Sequence, residues 1–240
     1  MNMQERKWFD ELQRDREDSR KTLQKPSMSG VQRSVVEKYS DEAHFIYELL
    51  QNADDARATW VKFILKTDKL IFIHNGTRHF DISDPQKEDI DKANKRLGDI
   101  NAITSVGNSS KESEATIGKF GVGFKAVFQY TSTPCIYDDR FRFKINDLIV
   151  PTLIKSDHPN RNNGETLFEF PFNHKLRLKD EAYDEIKDKL NHLNHPTLFL
   201  DNLKSVMFKC NDNDAQTIVM DSINESVSMR HIKPHLYEKV

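Results

Sequence analysis

Between Val31 and Arg57 the apolar positions recur at helical spacing: Phe45, Leu49, Ala53 and Ala56 fall at i, i+4, i+8 and i+11, with Ile46 and Leu50 beside them. The period then switches to two. Trp60–Lys66 alternates as Trp, Val, Lys, Phe, Ile, Leu, Lys, and Lys69–His74 adds Leu, Ile, Phe, Ile. This pattern predicts two short strands joined by a turn at 66–69. Further strands are expected at 134–137, 140–145 and 166–172. In the last of these, Phe168, Phe170 and Phe172 alternate as the core of a sheet rather than as a stacking platform for bases. A helix is expected over Asp180–Leu193, with its acidic start at the positive helix end, and a strand within 198–209. About thirty residues at the end carry little pattern.

Residues 3–24 are dense in both charge signs, and their sizeable apolar side chains are Trp8, Phe9, Leu12 and Leu23. They read as an exposed helix, ending before Pro26, whose few apolar residues have no obvious place in the core. A homodimer or a partner protein would then meet this chain through that helix. Residues 81–116 are polar and rich in Asn, Ser, Gly and Lys, which predicts a long loop with short helical pieces, and a loop of that length is usually functional. The organisation expected is an N-terminal helical extension (1–30), a core domain (31–175) with a lid at about 98–117, and a C-terminal helix and strand (176–240) completing or flanking the core.

Composition narrows the class. A chain of 240 residues with 37% hydrophobic and 10% aromatic content supports a real core. Its 36 Lys+Arg against 38 Asp+Glu give a net charge of −2, so no global field recruits nucleic acid or an anionic membrane. Basic residues at Lys204, Lys209, Arg230 and Lys233 are scattered, leaving nucleic-acid binding unmotivated. Cys135 and Cys210 form no disulfide framework, and no apolar run reaches the roughly 18 residues of a membrane span. The expected setting is cytoplasmic.

Glycine is scarce, and its placement is informative. Six of the 8 glycines lie between Gly76 and Gly123, three of them in Gly118-Lys119-Phe120-Gly121-Val122-Gly123-Phe124-Lys125. A glycine-rich turn running into an apolar helix, here Val122–Tyr130, suits backbone N–H groups to phosphate. On the preceding helix Glu48, Asn52 and Asp55 share one stripe at i, i+4 and i+7. The bland explanation is a solvated face, yet the wet faces of this chain are built from Lys, Arg and Glu rather than from Glu, Asn and Asp. A carboxylate there can activate a water, and an amide one turn away can take a place on Mg²⁺ beside phosphate oxygens.

Glu48-Leu-Leu-Gln-Asn52-Ala-Asp-Asp55-Ala56-Arg-Ala58-Thr59 resembles the first motif of the GHKL ATPases (gyrases, heat-shock chaperones, histidine kinases, mismatch-repair proteins). Ile73-His74-Asn75-Gly76, the Gly118–Lys125 run and Gly164-Glu165-Thr166-Leu167-Phe168 are similar to the family's adenine-binding motif, glycine box and last motif, in family order. The match covers roughly 35–172, and within the class the His-Asn-Gly variant and Ile103–Lys111 look closest to sacsin-like ATP-binding domains.

The resemblance implies an α/β two-layer sandwich of the Bergerat fold, with a mixed, mostly antiparallel sheet and helices on one face. It implies ATP and Mg²⁺ as ligands, with Glu48 as general base, Asn52 as the Mg²⁺ ligand and Asp55 at the pocket wall near the nucleoside. Gly118, Gly121 and Gly123 would let the loop wrap the phosphates while the backbone of Lys119, Phe120 and Val122 donates. Phe124 and Lys125 follow in the same box, and Lys125 either reaches the phosphates or flanks the helix. Ser109, Ser110 and Lys111 would belong to the lid, Asn75 and Gly76 to the base site, and Thr166 would hydrogen-bond near the adenine.

One departure stands out. The family holds adenine with an Asp in an Asp-x-Gly-x-Gly frame, where this chain has His74-Asn75-Gly76-Thr77-Arg78. Asn75 could accept the same hydrogen bond more weakly. The activity expected is slow ATP hydrolysis coupled to lid closure and dimerisation, weak in isolation, in a chaperone-like or defence-related system. The alternative is a nucleotide-gated interaction module that binds ATP or ADP with little hydrolysis. A scaffold without nucleotide is disfavoured by the three intact glycines of the box. His44 as a phospho-acceptor is disfavoured because it lies one turn before Glu48 on the same helix.

Overall fold

Alternation buries Val61, Phe63 and Leu65 completely on one face of β1 (Trp60–Lys66). Thr67 and Asp68 turn the chain into β2 (Lys69–His74), paired in register from Val61 opposite His74 to Lys66 opposite Lys69. The computed structural model describes residues 1–25, 27, 44–105, 122–193, 200–210, 216–223 and 226–232. Ahead of this hairpin stand α1 (Met3–Leu23) and α2 (His44–Asp55). After it come a single 3₁₀ turn at Pro85–Lys87, α3 (Glu88–Ala93), α4 (Asp99–Ile103) and a longer 3₁₀ helix, Val122–Gln129. The expected loop at 81–116 thus carries short helices where it is described.

The remaining strands are β3 (Cys135–Tyr137), β4 (Arg142–Asn146), β5 (Val150–Leu153), β6 (Thr166–Pro171), β7 (Ser205–Cys210), β8 (Gln216–Ile223) and β9 (Ser226–Ile232), with α5 (Lys179–Asn191) between β6 and β7. They form one sheet in the order β5-β4-β3-β6-β2-β1-β7-β8-β9. Every pairing is antiparallel except β1 with β7, which is parallel. The fold is therefore α/β with a mixed, mostly antiparallel sheet. The C-terminal region continues this sheet through β7, and β8 and β9 form a hairpin where the sequence shows little pattern.

One apolar cluster joins sheet and helices. Phe63, Phe72, Phe168 and Phe170 from the strands meet Phe45 and Leu49 of α2, Phe124 and Phe128 of the 3₁₀ helix, and Ile186 and Leu190 of α5. The opposite sheet face holds a smaller cluster of Ile71, Ile73, Tyr137 and Leu167, with Trp60, Ile64 and Ile154 at its margin.

The expectation that the apolar residues of the first helix lack a place in the core is corrected by α1. Phe9 and Leu12 are fully buried in the main cluster, and Phe9 meets Phe143 edge-on at 6.1 Å. The buried stripe is Glu5, Phe9, Leu12, Arg16 and Leu23, with Glu5 and Arg16 flanking the apolar pair and Leu23 packing separately with Ile149 and Val150. Those charges find distant partners, Glu5 with Arg140 and Arg16 with Glu88 at 2.6 Å, and the more exposed Arg20 pairs with Asp147 at 3.0 Å. Few apolar residues suffice because ion pairs flank them, which a count of hydrophobic positions cannot reveal. Asn2 and Glu5 close a capping box at the helix start.

Replacing Phe9 by alanine leaves a cavity where α1 meets β4, and should lower stability by about 3–5 kcal/mol in urea unfolding. A loss below about 1 kcal/mol would mean that α1 is only loosely docked.

Candidate functional site

Helix α2 has two tasks, and its spacing separates them. Phe45, Leu49 and Ala53 enter the core, while Glu48, Asn52 and Asp55 lie on a neighbouring stripe. Asn52 is 7% exposed, and its Nδ2 is buried with no hydrogen-bond partner among the described residues. The helix stops in the left-handed region at Arg57 (φ 62°), with Ala58 N–H donating to Ala53 O at 2.9 Å. Asp54 points elsewhere: its carboxylate accepts from the backbone N–H groups of Asp201, Asn202 and Leu203, which ties the helix end to the approach of β7.

Gly123 closes on the N-terminal half of this stripe. A Cβ at Gly123 would overlap the Glu48 carboxylate, so the backbone here lies close against that carboxylate, and a larger residue would have to displace the end of the Glu48 side chain. Phe124 follows into the main core. The ammonium of Lys125 donates to Ile103 O at 2.7 Å and Leu148 O at 2.6 Å. It therefore bridges the end of α4 to the β4–β5 turn, where Asp147 (φ 47°) and Leu148 (φ 74°) are both left-handed. Burial lowers its pKa to about 7, helped by the charge of Arg16. Of the two roles expected for Lys125, reaching phosphate or flanking the helix, the arrangement seen is nearer the second. Ser109, Ser110, Lys111, Gly118, Lys119, Phe120 and Gly121 lie outside the described residues, as does the side chain of Val122.

The end of β2 closes on the other end of the stripe. A Cβ at Gly76 would stand 2.7 Å from Ala56 Cβ and 2.8 Å from His74 Nδ1, so close approach requires glycine here. Arg78 N–H donates to Ala56 O at 3.2 Å, fixing the turn beneath the helix end. Asn75 engages the neighbouring turn: its Oδ1 accepts from Thr59 and Trp60 N–H at 2.9 and 3.1 Å, and its Nδ2 donates to Thr59 Oγ1. His74 and Thr166 face each other across β2 and β6. His74 is 2% exposed, and its Nδ1 accepts from Gly76 N–H at 3.0 Å. Burial, with Arg78 and His79 nearby, lowers its pKa to about 3, so it is neutral at ordinary pH. Thr166 donates to Asp138 Oδ2, which also meets His79 Nδ1.

The sequence reading did not single out Arg78, Asp99 or Asp138. Arg78 donates to both oxygens of Asp99 at 3.0 and 3.2 Å. Burial and the charge of Asp81 push the Asp99 carboxyl upward against the pull of Arg78. Burial also raises Asp55, with Arg78 opposing. Arg78 thus acts electrostatically on Asp55, Asp99 and His74 together. An arginine two residues beyond Gly76 was the available signal. Among the described residues, no group of three or more His, Cys, Asp or Glu side chains could hold a metal ion.

The family model described as the Sacsin domain matches residues 25–187. The chain is similar to Protein NO VEIN of Arabidopsis thaliana, 29% identical over 204 residues, covering 72% of this chain and 7% of that protein. It is similar to Sacsin of Homo sapiens, 31% identical over 121 residues, covering 45% of this chain and 2% of that protein. The chain thus spans a small part of either relative. Among solved structures, the N-terminal domain of a DNA repair protein overlays with a TM-score of 0.44 at 15% identity, over 82% of this chain and 57% of that one.

Two outcomes follow from the contacts. Gly123→Ala should cost about 0.5–1.5 kcal/mol by displacing the Glu48 carboxylate, and most of that cost should disappear in a Glu48→Ala background. Strictly additive losses in urea unfolding would contradict the contact. For Lys125, the unfolded chain keeps its lysine proton to about pH 10.5 while the folded chain releases it near 7. Between those values the unfolded state binds more protons, so stability climbs as pH rises. Lys125→Met should flatten that climb in midpoints measured across the window, and an unchanged slope would contradict it.

Proposed function

The chain belongs to the Sacsin domain family, and from that membership we propose that α2, the glycine segment and the end of β2 frame a magnesium-dependent ATP site of the GHKL, Bergerat-fold type. Hydrolysis there is slow and coupled to lid closure and dimerisation, as part of a larger chaperone-like or defence-related system. The observation that carries this reading is Asn52: a buried amide whose nitrogen has no partner among the described residues, one turn from a carboxylate packed against glycine backbone. A buried polar atom without a partner costs about 1–3 kcal/mol, and a bound ligand would relieve that cost.

The residues fit the ligand's chemistry. Magnesium takes one or two protein oxygens and fills its remaining positions with phosphate oxygens and waters, so the single amide oxygen of Asn52 suits it. When bound, the ion would offset the charge of the triphosphate. Glu48 would accept the proton of the attacking water, and its exposure is intermediate rather than nil. Backbone N–H groups at the start of the 3₁₀ helix would donate to phosphate oxygens. Asp55 and Arg78 would border the nucleoside end. Along α2, Glu48 and Asp55 are seven residues apart, about 10 Å of helix, so the proposed reacting end and nucleoside end lie along one helix.

A second reading, an ATP- or ADP-binding interaction module with little hydrolysis, is favoured by the same contact at Gly123. A carboxylate packed against backbone has little room for water until that backbone shifts.

Glu48→Ala should keep nucleotide binding and lower turnover by roughly 10²–10⁴-fold. Turnover equal to the parent would remove Glu48 from the base role. Parent turnover too low to measure, with binding intact, would favour the interaction module. Asn52→Ala should weaken nucleotide binding about tenfold or more with magnesium, and much less without it, in calorimetric titration. An equal loss in both conditions would show that Asn52 does not serve the metal.

A further inference from the structure

Resting on the nucleotide-site reading, the inference concerns which edge of the base this pocket recognises. His74 ends β2 on the same side of the strand as Leu70 and Phe72, both in the main core. Its ring lies 5.9 Å from that of Phe72 and 6.1 Å from that of Phe168, so two aromatic side chains fix its plane. The Gly76 turn lies against Ala56, the residue following Asp55, and thus sets His74 under the end of α2 farthest from Glu48. If phosphates sit at Glu48 and Gly123, the base falls at His74.

Hydrogen bonding determines what His74 offers. Gly76 N–H donates to Nδ1, so Nδ1 presents a lone pair and the proton of the neutral ring is on Nε2. That bond fixes the tautomer, so the ring's remaining polar group is a donor, Nε2–H. The other candidate reader, Asn75, has its oxygen engaged by Thr59 and Trp60. Thr166, across the strand, donates its hydroxyl proton to Asp138.

We propose that His74 is the base-reading residue of this pocket and that it reads by donating Nε2–H to an acceptor on the base edge. An exocyclic amine is then unnecessary. Adenine offers a ring nitrogen acceptor, while a purine with a carbonyl at C6 offers that oxygen. A carboxylate at this position would instead require the amine and repel the carbonyl. The substrate class is therefore purine nucleotides irrespective of the C6 substituent.

The test is calorimetric titration of the parent chain and His74→Asp with ADP and with IDP, each with magnesium. The parent should bind IDP within about threefold of ADP or more tightly. His74→Asp should shift the preference toward ADP by at least about tenfold, the discrimination expected when a buried donor is exchanged for an acceptor. A parent that binds ADP more than tenfold tighter than IDP would overturn the donor assignment while leaving the nucleotide site intact. No binding of either nucleotide would overturn site and reader together. Should His74→Asp fail to fold, imidazole ¹⁵N spectra of the parent decide the matter. The Nε2–H tautomer of His74 and a shift of its Nε2 resonance on adding either nucleotide support the proposal, and an Nδ1–H tautomer or an unmoved resonance refutes it.

Discussion

The candidate site depends on two close backbone approaches, one that excludes any side chain and one that holds a carboxylate. Gly123 lies against the Glu48 carboxylate, and Gly76 lies between Ala56 and the His74 ring. Together they clamp α2 at both ends of its polar stripe and set the distance between the glycine segment and the end of β2. A methyl group at Gly76 would press on Ala56 at the end of the helix, whereas one at Gly123 would displace the Glu48 carboxylate from its place beside the glycine segment.

The remaining structure holds this clamp in place. Asp54 anchors the end of α2 to the segment before β7 through three backbone N–H groups. Lys125 ties the glycine-bearing 3₁₀ helix to α4 and to the left-handed Asp147–Leu148 turn, which Arg20 of α1 also reaches. Arg16 of α1 pairs with Glu88, and Glu88 accepts from Asn101 within α4. The first helix thus supports the base of the expected lid, a framework role within its own chain.

How much of this was legible in the sequence follows from the range of each interaction. The β1–β2 hairpin, the α2 stripe and the alternation of β6 are set by neighbours a few residues apart, so periodicity reveals them. The docking of α1 is invisible to periodicity because it depends on partners such as Glu88 and Asp147, brought near only by the fold. The same holds for Lys125, whose acceptors are carbonyls at 103 and 148. β5 is short and contains Pro151, which hides it from strand patterns, and β8 mixes Asp221 and Ser222 among its apolar residues. At the site, the glycines and the Glu-Asn-Asp stripe were readable as residue types. The hydrogen bonds that occupy Asn75 and leave His74 a donor were not.

The most direct measurement is the thermal unfolding midpoint of the chain with ATP or ADP, each with and without magnesium. A nucleotide at a hundred times its Kd adds about 2.7 kcal/mol, a shift of several degrees. The account predicts such a shift, larger with magnesium present. An unchanged midpoint with every nucleotide, with or without the metal, would contradict it.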